Sequence, residues 1–343
     1  MTRLYRLIPA VIIRPLVLLL FVLTGVANGL AGQTVTALSG TALSGQVMDV
    51  YFLDVAQGNC ILIKLPNGKF MLYDAGTSSS KIDANVIAAK INAITGGTDI
   101  TTIFLSHPDK DHISLIPSIR EARRPQYVHF SGAISNYTGL LGTWLASLPT
   151  ATRKVTYKTY YHNTSPTKDI DGDTLIDVYV IAANVPGDPN TQSLVISVDY
   201  NSNNVLLTGD ATAVTERWIL GRWSSGALRS TVLSFGHHGS NHSSSRAFVM
   251  AVKPNVGVFS ASAEHLGYGH PRCVLVDSVE TMVDMGGRDG ITIPMHRIDC
   301  WNANRGQYVT EENNLGVFLT ATQGNIRFST DGYDYKVLVD RLR

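Results

Sequence analysis

The chain has 343 residues, 44% hydrophobic and 16% charged, enough apolar material for a large core and too little charge for a disordered chain. With 28 basic and 27 acidic residues its formal net charge is +1, which excludes the strongly basic footprint of a protein that grips nucleic acid electrostatically.

The first thirty or so residues differ in kind from the rest. Arg3, Arg6 and Arg14 lead into the apolar run Pro15 to Val26 and then Ala27-Asn28-Gly29-Leu30-Ala31, the layout of a secretory signal peptide with cleavage expected after Ala31. Residues 1–31 are thus expected to be a signal peptide, or an N-terminal membrane anchor if Ile8 to Ile13 join the apolar run and no cleavage occurs. Cleavage implies a secreted or periplasmic protein and removes three arginines but no acid, leaving 25 basic against 27 acidic residues. Residues 32–46, rich in Thr, Ser, Gly and Ala, read as a linker to a domain spanning 47–343.

That domain opens on strands Val47 to Val55, Cys60 to Leu65 and Phe70 to Tyr73, the last two joined by the turn Pro66-Asn67-Gly68-Lys69. Asp54 and Asp74 each end a strand beside small residues. Either suits a role orienting ligands, and either suits a turn aspartate bonded to its own backbone. Ile82 to Ile94 has helical spacing and stops at Gly96-Gly97.

Thr101 to Leu105 is a short buried strand. Behind it, Ser106-His107-Pro108-Asp109-Lys110-Asp111-His112 packs four potential metal ligands into six residues, and Ile113 to Arg124 reads as the following helix. Loops outside the carboxyl ends of strands are where ligands collect in open α/β sheets. Two imidazoles and two carboxylates so close together need a cation to hold them deprotonated.

Further along come strand Gln126 to Phe130, helix Tyr137 to Leu148 and strand Lys154 to Tyr161. Lys168 to Asp173 reads as a polar hairpin turn, since its glycine comes too early for a calcium loop and no distal glutamate follows. Strand Asp177 to Ala182 precedes a hairpin of Ser193 to Val198 and Val205 to Thr208. Helix Ala213 to Leu220, strand Ser230 to Phe235, helix Ser245 to Val252, strand Val256 to Phe259 and helix Arg272 to Met285 alternate after it. Ile291 to Ile293, Gly316 to Thr320 and Asn325 to Ser329 add strands, with a polar loop at Asn302 to Asn313. Strands followed by alternating helices and strands occur twice. That pattern predicts an α+β domain of two mixed β-sheets packed face to face with helices outside.

Three later segments repeat the ligand chemistry at the same structural position. Thr208-Gly209-Asp210, Gly236-His237-His238-Gly239-Ser240 and Gly269-His270-Pro271 each follow a strand. Of three cysteines, Cys60 reads as a core thiol, and Cys273 and Cys300 could pair in an oxidising compartment. No C-x-x-C spacing points to thiolate zinc.

His107-x-Asp109-x-Asp111-His112, Thr208-Gly209-Asp210 and His237-His238-Gly239-Ser240 resemble the metallo-β-lactamase superfamily, in its ComEC-like branch, named for the extracellular domain of a DNA-uptake protein. Phe52-Leu53-Asp54-Val55-x-Gln57-Gly58 and Asn190-x-x-Ser193-Leu194-Val195 are similar to the same branch. The resemblance, over roughly residues 47 to 275, implies a four-layer αββα sandwich and a site for two divalent metal ions, Zn²⁺ or Mn²⁺. By position, His107 and Asp109 would bind one metal, Asp111 and His112 the other, and Asp210 would bridge them. His237 or His238 would complete the second site, with His238 the preferred ligand. Asn190 and Ser193 stand where the superfamily usually places a further histidine, and Ala56 and Asn59 replace its usual glycine and aspartate in the opening motif.

Two metals about 3.5–4 Å apart can share a hydroxide and clamp both oxygens of an in-line displacement. The expected activity is therefore metal-dependent hydrolysis of a phosphodiester, from nucleic acid or a small phosphoester, by a metal-bridging hydroxide. Asp111, His237 and His270 are the catalytic candidates, with His270 or the non-ligand member of the His237-His238 pair protonating the leaving oxygen. Lys110, Asn190, Ser193 and Ser240 are candidates for substrate contact. The competing readings are a lactam or thioester hydrolase on the same fold, and a non-catalytic component binding DNA or a cell-surface polymer. Charge does not imply nucleic acid, a membrane enters only through an uncleaved N-terminus, and nothing indicates the oligomeric state.

Overall fold

A computed structural model describes residues 36–37, 43–158, 161–163, 175–263, 268–283, 295–313 and 316–341. The expected signal peptide, most of the linker, the Lys168 to Asp173 turn and the strand Ile291 to Ile293 lie outside the described residues. Among those described, no helix is long and apolar enough to cross a membrane.

In chain order the first half carries β1 (Thr36–Ala37), β2 (Met48–Phe52), β3 (Cys60–Lys64), β4 (Phe70–Ala75), α1 (Ala84–Thr95), β5 (Ile100–Leu105), α2 (Lys110–Ile113), β6 (Tyr127–Ser131), α3 (Gly139–Ser147) and β7 (Arg153–Tyr157). The second half carries β8 (Ile176–Ala182), β9 (Val195–Tyr200), β10 (Asn203–Leu207), α4 (Ala213–Leu220), α5 (Ser225–Leu228), β11 (Val232–Ser234), α6 (Arg246–Val252), β12 (Val256–Phe259), α7 (Cys273–Glu280), β13 (His296–Asn302), β14 (Gln307–Asn313), β15 (Val317–Leu319), α8 (Thr320–Gln323), β16 (Ile326–Thr330) and β17 (Tyr335–Val339).

Nine strands form one mixed sheet in the order β1-β17-β16-β2-β3-β4-β5-β6-β7, and six form a second in the order β15-β12-β11-β10-β9-β8. β3 shows why the strands are apolar almost throughout. Ile61 and Ile63 face the second sheet in a core shared with Val178, Val198 and Val258, while Cys60 and Leu62 face outward onto Ile87 and Ile91 of α1. Across the molecule Leu206 and Leu233 face Val249 and Val276, from α6 and α7. The result is the four-layer αββα sandwich that the resemblance implies.

β4 to β7 run parallel, and so do β10, β11, β12 and β15. Parallel strands present their carboxyl ends together, so the loops after β4, β5, β10, β11 and β12 open on one side of the molecule.

Three expectations are corrected. The helix at Ile113 to Arg124 is instead the single turn α2 followed by two 3₁₀ turns, Ile116–Ser118 and Arg120–Arg123. Pro117 has no N–H, and in an α-helix its ring would meet the carbonyl of Ile113. The polar loop at Asn302 to Asn313 is mostly strand: β13 and β14 form an antiparallel ribbon, with His296, Ile298 and Cys300 buried on one face. Tyr335–Val339, not expected as a strand, pairs with β16.

Candidate metal centre

His107 precedes α2 and His112 lies within it, and the short turn places both rings on one side, their centroids 4.2 Å apart. The backbone of this turn is clasped by two loops. Asn59 N–H donates to the Asp111 carbonyl at 2.9 Å, and Gly76 lies so close that a Cβ there would sit 2.4 Å from His112 N. This contact explains why glycine follows Asp74-Ala75.

Below the rings, Asp74 is fully buried. Its carboxylate accepts from Ser106 N–H at 2.7 Å, Ser106 Oγ at 2.6 Å, Asn59 Nδ2 at 3.1 Å and His112 Nδ1 at 2.7 Å. His107 Nδ1 lies 3.0 Å from Ser106 Oγ. His238 Nδ1 donates to the Ser260 carbonyl at 2.7 Å. A carbonyl only accepts and the carboxylate acts as acceptor, so His238 and His112 carry their protons on Nδ1 and present Nε2 lone pairs to the centre. Asp74 thus fulfils the orienting role, while Asp54 does not: it accepts from Ala56 N–H at 3.2 Å and faces Arg341 at 3.4 Å. Ser106 and Ser260 escape sequence reading, because a serine hydroxyl and a main-chain carbonyl carry no distinguishing pattern.

Asp210 stands between the rings, 4% exposed. Its Oδ1 lies 3.0 Å from His112 Nε2 and 3.5 Å from His238 Nε2, and its Oδ2 lies 3.9 Å from His107 Nε2 and 3.7 Å from His237 Nε2. Ser193 Oγ accepts from Asp210 N–H at 3.1 Å and fixes it. Asp111 Oδ2 lies 3.5 Å from His238 Nε2, and the half-exposed Asp109 Oδ2 lies 3.7 Å from His107 Nε2. Among the described residues, the donor atoms of His107-His112-Asp210 and of Asp111-His112-His238 converge closely enough to hold an ion. A third convergence, Cys273-Cys300-Glu311, is no site, since its two sulfurs are joined in a disulfide.

His112 and His238 aim Nε2 at Nε2 across 3.2 Å, and the Nε2 of buried His107 has no partner. Facing lone pairs repel unless a proton or a metal ion lies between them, so this donor set fits a divalent cation. Without one, protons fill the role. Burial pushes the Asp210 carboxyl up, but the His112 and His238 charges outweigh it and hold it well below the usual range. Burial opposes charge on His112 too, yet Asp210 and Asp74 raise it well above an ordinary histidine. Asp111, against burial, is lowered to about 2 by its bond to His238 and the His112 charge.

His237 and His238 have φ of 49° and 53°, left-handed at consecutive non-glycine residues. Such backbone costs about 1–2 kcal/mol per residue, and it turns both adjacent imidazoles toward one centre. The surroundings impose it. His237 N–H donates to the Gly209 carbonyl at 3.1 Å, Gly236 N–H to Ser244 Oγ at 3.1 Å, and the Glu216 carboxylate accepts from the N–H groups of Ser244 and Ser245.

His270 enters at the side, its ring centroid 5.6 Å from that of His237. Its loop is braced by the β13–β14 ribbon: Trp301 N–H donates to the Pro271 carbonyl, Tyr308 Oη to the His270 carbonyl, and Cys300 is joined to Cys273 just beyond. Burial, then the His238 and His237 charges, lower its pKa to about 3, so the ring is neutral near pH 7. Of the expected substrate contacts, Lys110 is exposed at the start of α2, and Asn190 Nδ2 lies 3.4 Å from His237 Nε2. Ser193 and Ser240 are buried, bonded to the backbone of Asp210 and His242, and offer no hydroxyl to solvent.

Comparison with known proteins follows the same residues. The family model described as the metallo-beta-lactamase superfamily matches residues 53–263. Recombination protein 2 of Haemophilus influenzae is 32% identical over 230 residues, 66% of this chain and 26% of that protein. Competence protein ComA of Neisseria gonorrhoeae is 28% identical over 218 residues, 64% of this chain and 27% of that protein. The chain thus spans about a quarter of the length of these curated relatives. Among solved structures, the metallo-beta-lactamase fold protein YhfI of Bacillus subtilis is 10% identical with a TM-score of 0.46, covering 82% of this chain and 99% of that one. Because the family match runs over more than half of the chain and takes in every donor from His107 to His238, this protein belongs to the metallo-beta-lactamase superfamily.

Proposed function

We propose that the chain is a metal-dependent hydrolase of phosphodiesters, exported to an oxidising compartment. The observation that carries this reading is the Asp210 carboxylate, whose two oxygens face two different sets of donors. Asp109, Asp111 and Asp210 add three carboxylates to the imidazoles, an oxygen-rich set that suits Mn²⁺ as well as Zn²⁺. When bound, two such ions supply Lewis acidity and a water of lowered pKa, chemistry suited to in-line displacement at phosphorus.

The protein's own share is orientation and proton transfer. Asp74, Ser106 and Ser260 hold the rings with Nε2 inward. His270, beside His237, is placed to carry a proton between the attacking water and the leaving oxygen. Lys110, exposed on α2 next to Asp109 and Asp111, is free to meet a phosphate oxygen. A lactam or thioester hydrolase draws no such support from the carboxylate-rich set. The names of the two relatives, a recombination and a competence protein, make nucleic acid the first polymer to test, although the near-neutral charge argues against tight, salt-sensitive binding. The Cys273–Cys300 disulfide supports export, because such bonds persist in oxidising compartments.

The test is metal content by mass spectrometry on chelator-free protein, with hydrolysis of bis-(p-nitrophenyl) phosphate measured with and without added Mn²⁺ or Zn²⁺. About two metals per chain and metal-dependent turnover are expected. Neither metal nor turnover after addition would overturn the reading and favour a non-catalytic binding role.

A further inference from the structure

Two histidines adjacent in sequence ordinarily point apart, and one of them is then spare. Here both rings point inward, and they face opposite oxygens of Asp210. His238 Nε2 lies on the Oδ1 side at 3.5 Å with His112, and His237 Nε2 on the Oδ2 side at 3.7 Å with His107. We propose that the pair is divided between the two metal positions: His238 joins Asp111 and His112, and His237 joins His107 and Asp109 as the fourth donor of the other position. The inference rests on the metal-dependent reading above.

Several observations converge on it. Without His237, the position beside His107 has only His107, Asp109 and the shared Asp210, while the other has Asp111, His112, His238 and Asp210. Four donors is the usual complement of a tightly held zinc ion. Oδ2 of Asp210 stands 3.7 Å from His237 and 3.9 Å from His107, too long for hydrogen bonds. Donors bonded to one ion at about 2.0–2.2 Å lie roughly 3–4 Å apart, the range of both Oδ2 distances. His107 Nε2 is buried with no partner, a donor aimed into the gap. The left-handed backbone at His237 carries a cost that a spare ring would not require, and the Asn190 amide nitrogen, 3.4 Å from the same Nε2, is the neighbour that an ion there would displace.

The two positions also differ in support. His238 Nδ1 is bonded to the Ser260 carbonyl, whereas His237 Nδ1 is buried without a partner. A ligand imidazole bonded at its other nitrogen is better oriented and more basic. The His237 position is therefore the weaker of the two, and the ions load in order.

The decisive variant is His237→Gly, which removes the donor while suiting the left-handed backbone; His238→Ala is its counterpart. Mn²⁺ and Zn²⁺ binding is followed by calorimetry on chelator-treated protein, with circular dichroism and thermal melting confirming that each variant is folded. Crystals soaked in Mn²⁺ give the anomalous peaks. The wild type should bind two ions with unequal affinity. His237→Gly should weaken only the weaker ion, by at least about 10-fold, and lose the anomalous peak beside His107. His238→Ala should affect the peak beside Asp111. Unchanged binding of both ions by folded His237→Gly would overturn the division while leaving the metal-dependent reading standing. A wild type that binds no ion would overturn both. If His237→Gly does not fold, His237→Asn serves, since asparagine also tolerates the left-handed backbone: a weaker second ion supports the division, and two unaltered ions together with an unmoved peak beside His107 count against it.

Discussion

Asp74→Asn isolates what a buried carboxylate does for the centre without disturbing its shape. Asp74 has φ 55°, a left-handed value that asparagine tolerates, so the backbone is not strained by the change. Its Oδ2 accepts from Ser106 Oγ, His112 Nδ1 and Asn59 Nδ2, and its Oδ1 accepts from Ser106 N–H. An amide can accept on one side only. With its oxygen kept on the Ser106 N–H, its NH₂ meets the other three groups, and His112 relieves the conflict by moving its proton to Nε2. That nitrogen lies 3.0 Å from Asp210 Oδ1, so an N–H replaces the lone pair offered to metal. Losing a charge-assisted hydrogen bond costs about 1.5–3 kcal/mol and leaving Asn59 Nδ2 unpaired about 1–3 more, giving roughly 2.5–6 kcal/mol of stability. Metal affinity should fall by about 10–100-fold, the usual effect of removing a partner behind a ligand. Urea titration reads the first, Zn²⁺ calorimetry the second, and long-range ¹H–¹⁵N spectra the tautomer of His112. A variant that keeps the Nδ1–H tautomer and wild-type affinity would refute the account.

Asp210→Ala should abolish metal-dependent hydrolysis of bis-(p-nitrophenyl) phosphate and leave the circular dichroism spectrum unchanged; surviving turnover would show that the centre is misassigned. Cys273→Ser with Cys300→Ser opens a loop with a sequence separation of 27 and should cost about 3.5 kcal/mol by the loop-entropy relation, read from urea titrations. An equal stability with and without reductant would contradict it. Glu311, on β14, has its pKa raised to about 7, first by burial and then by the charge and hydrogen bond of Asp277 and by Glu280. A raised carboxyl pKa means that the folded state keeps a proton which the unfolded state has lost, so stability declines as pH rises from about 4.5 to 7. Glu311→Gln should therefore raise the melting temperature at pH 8 and change it little at pH 4, and a lower melting temperature at pH 8 would be the opposite sign.

The sandwich was legible because strands covered on both faces are apolar nearly throughout, and because the element order repeats. The donors from His107 to His112 were legible for a different reason, since one strand-to-loop junction carries all four within six residues. Asp54 and Asp74 looked alike at that level. They part company because Asp74 lies under His112 and Ser106, whereas Asp54 meets Arg341, from the far end of the chain. The β13–β14 ribbon read as a loop because only one of its faces is covered, and alternating polar residues such as Arg297 and Thr310 dilute the strand pattern.

The hardest feature to read was the division of His237 from His238. Spacing along the chain shows that two imidazoles are near the centre, and for adjacent residues in regular backbone only one would face it. Which oxygen of Asp210 each one meets depends on the left-handed pair of dihedrals. Those dihedrals are set by the Gly209 carbonyl after β10 and the Glu216 carboxylate on α4, neither of which belongs to the His237-His238-Gly239-Ser240 segment. The buried Glu216 is therefore as much a part of the centre as its donors. It acts by holding the loop after His238 through two backbone N–H groups, in a molecule where tertiary contacts decide how a local motif is spent.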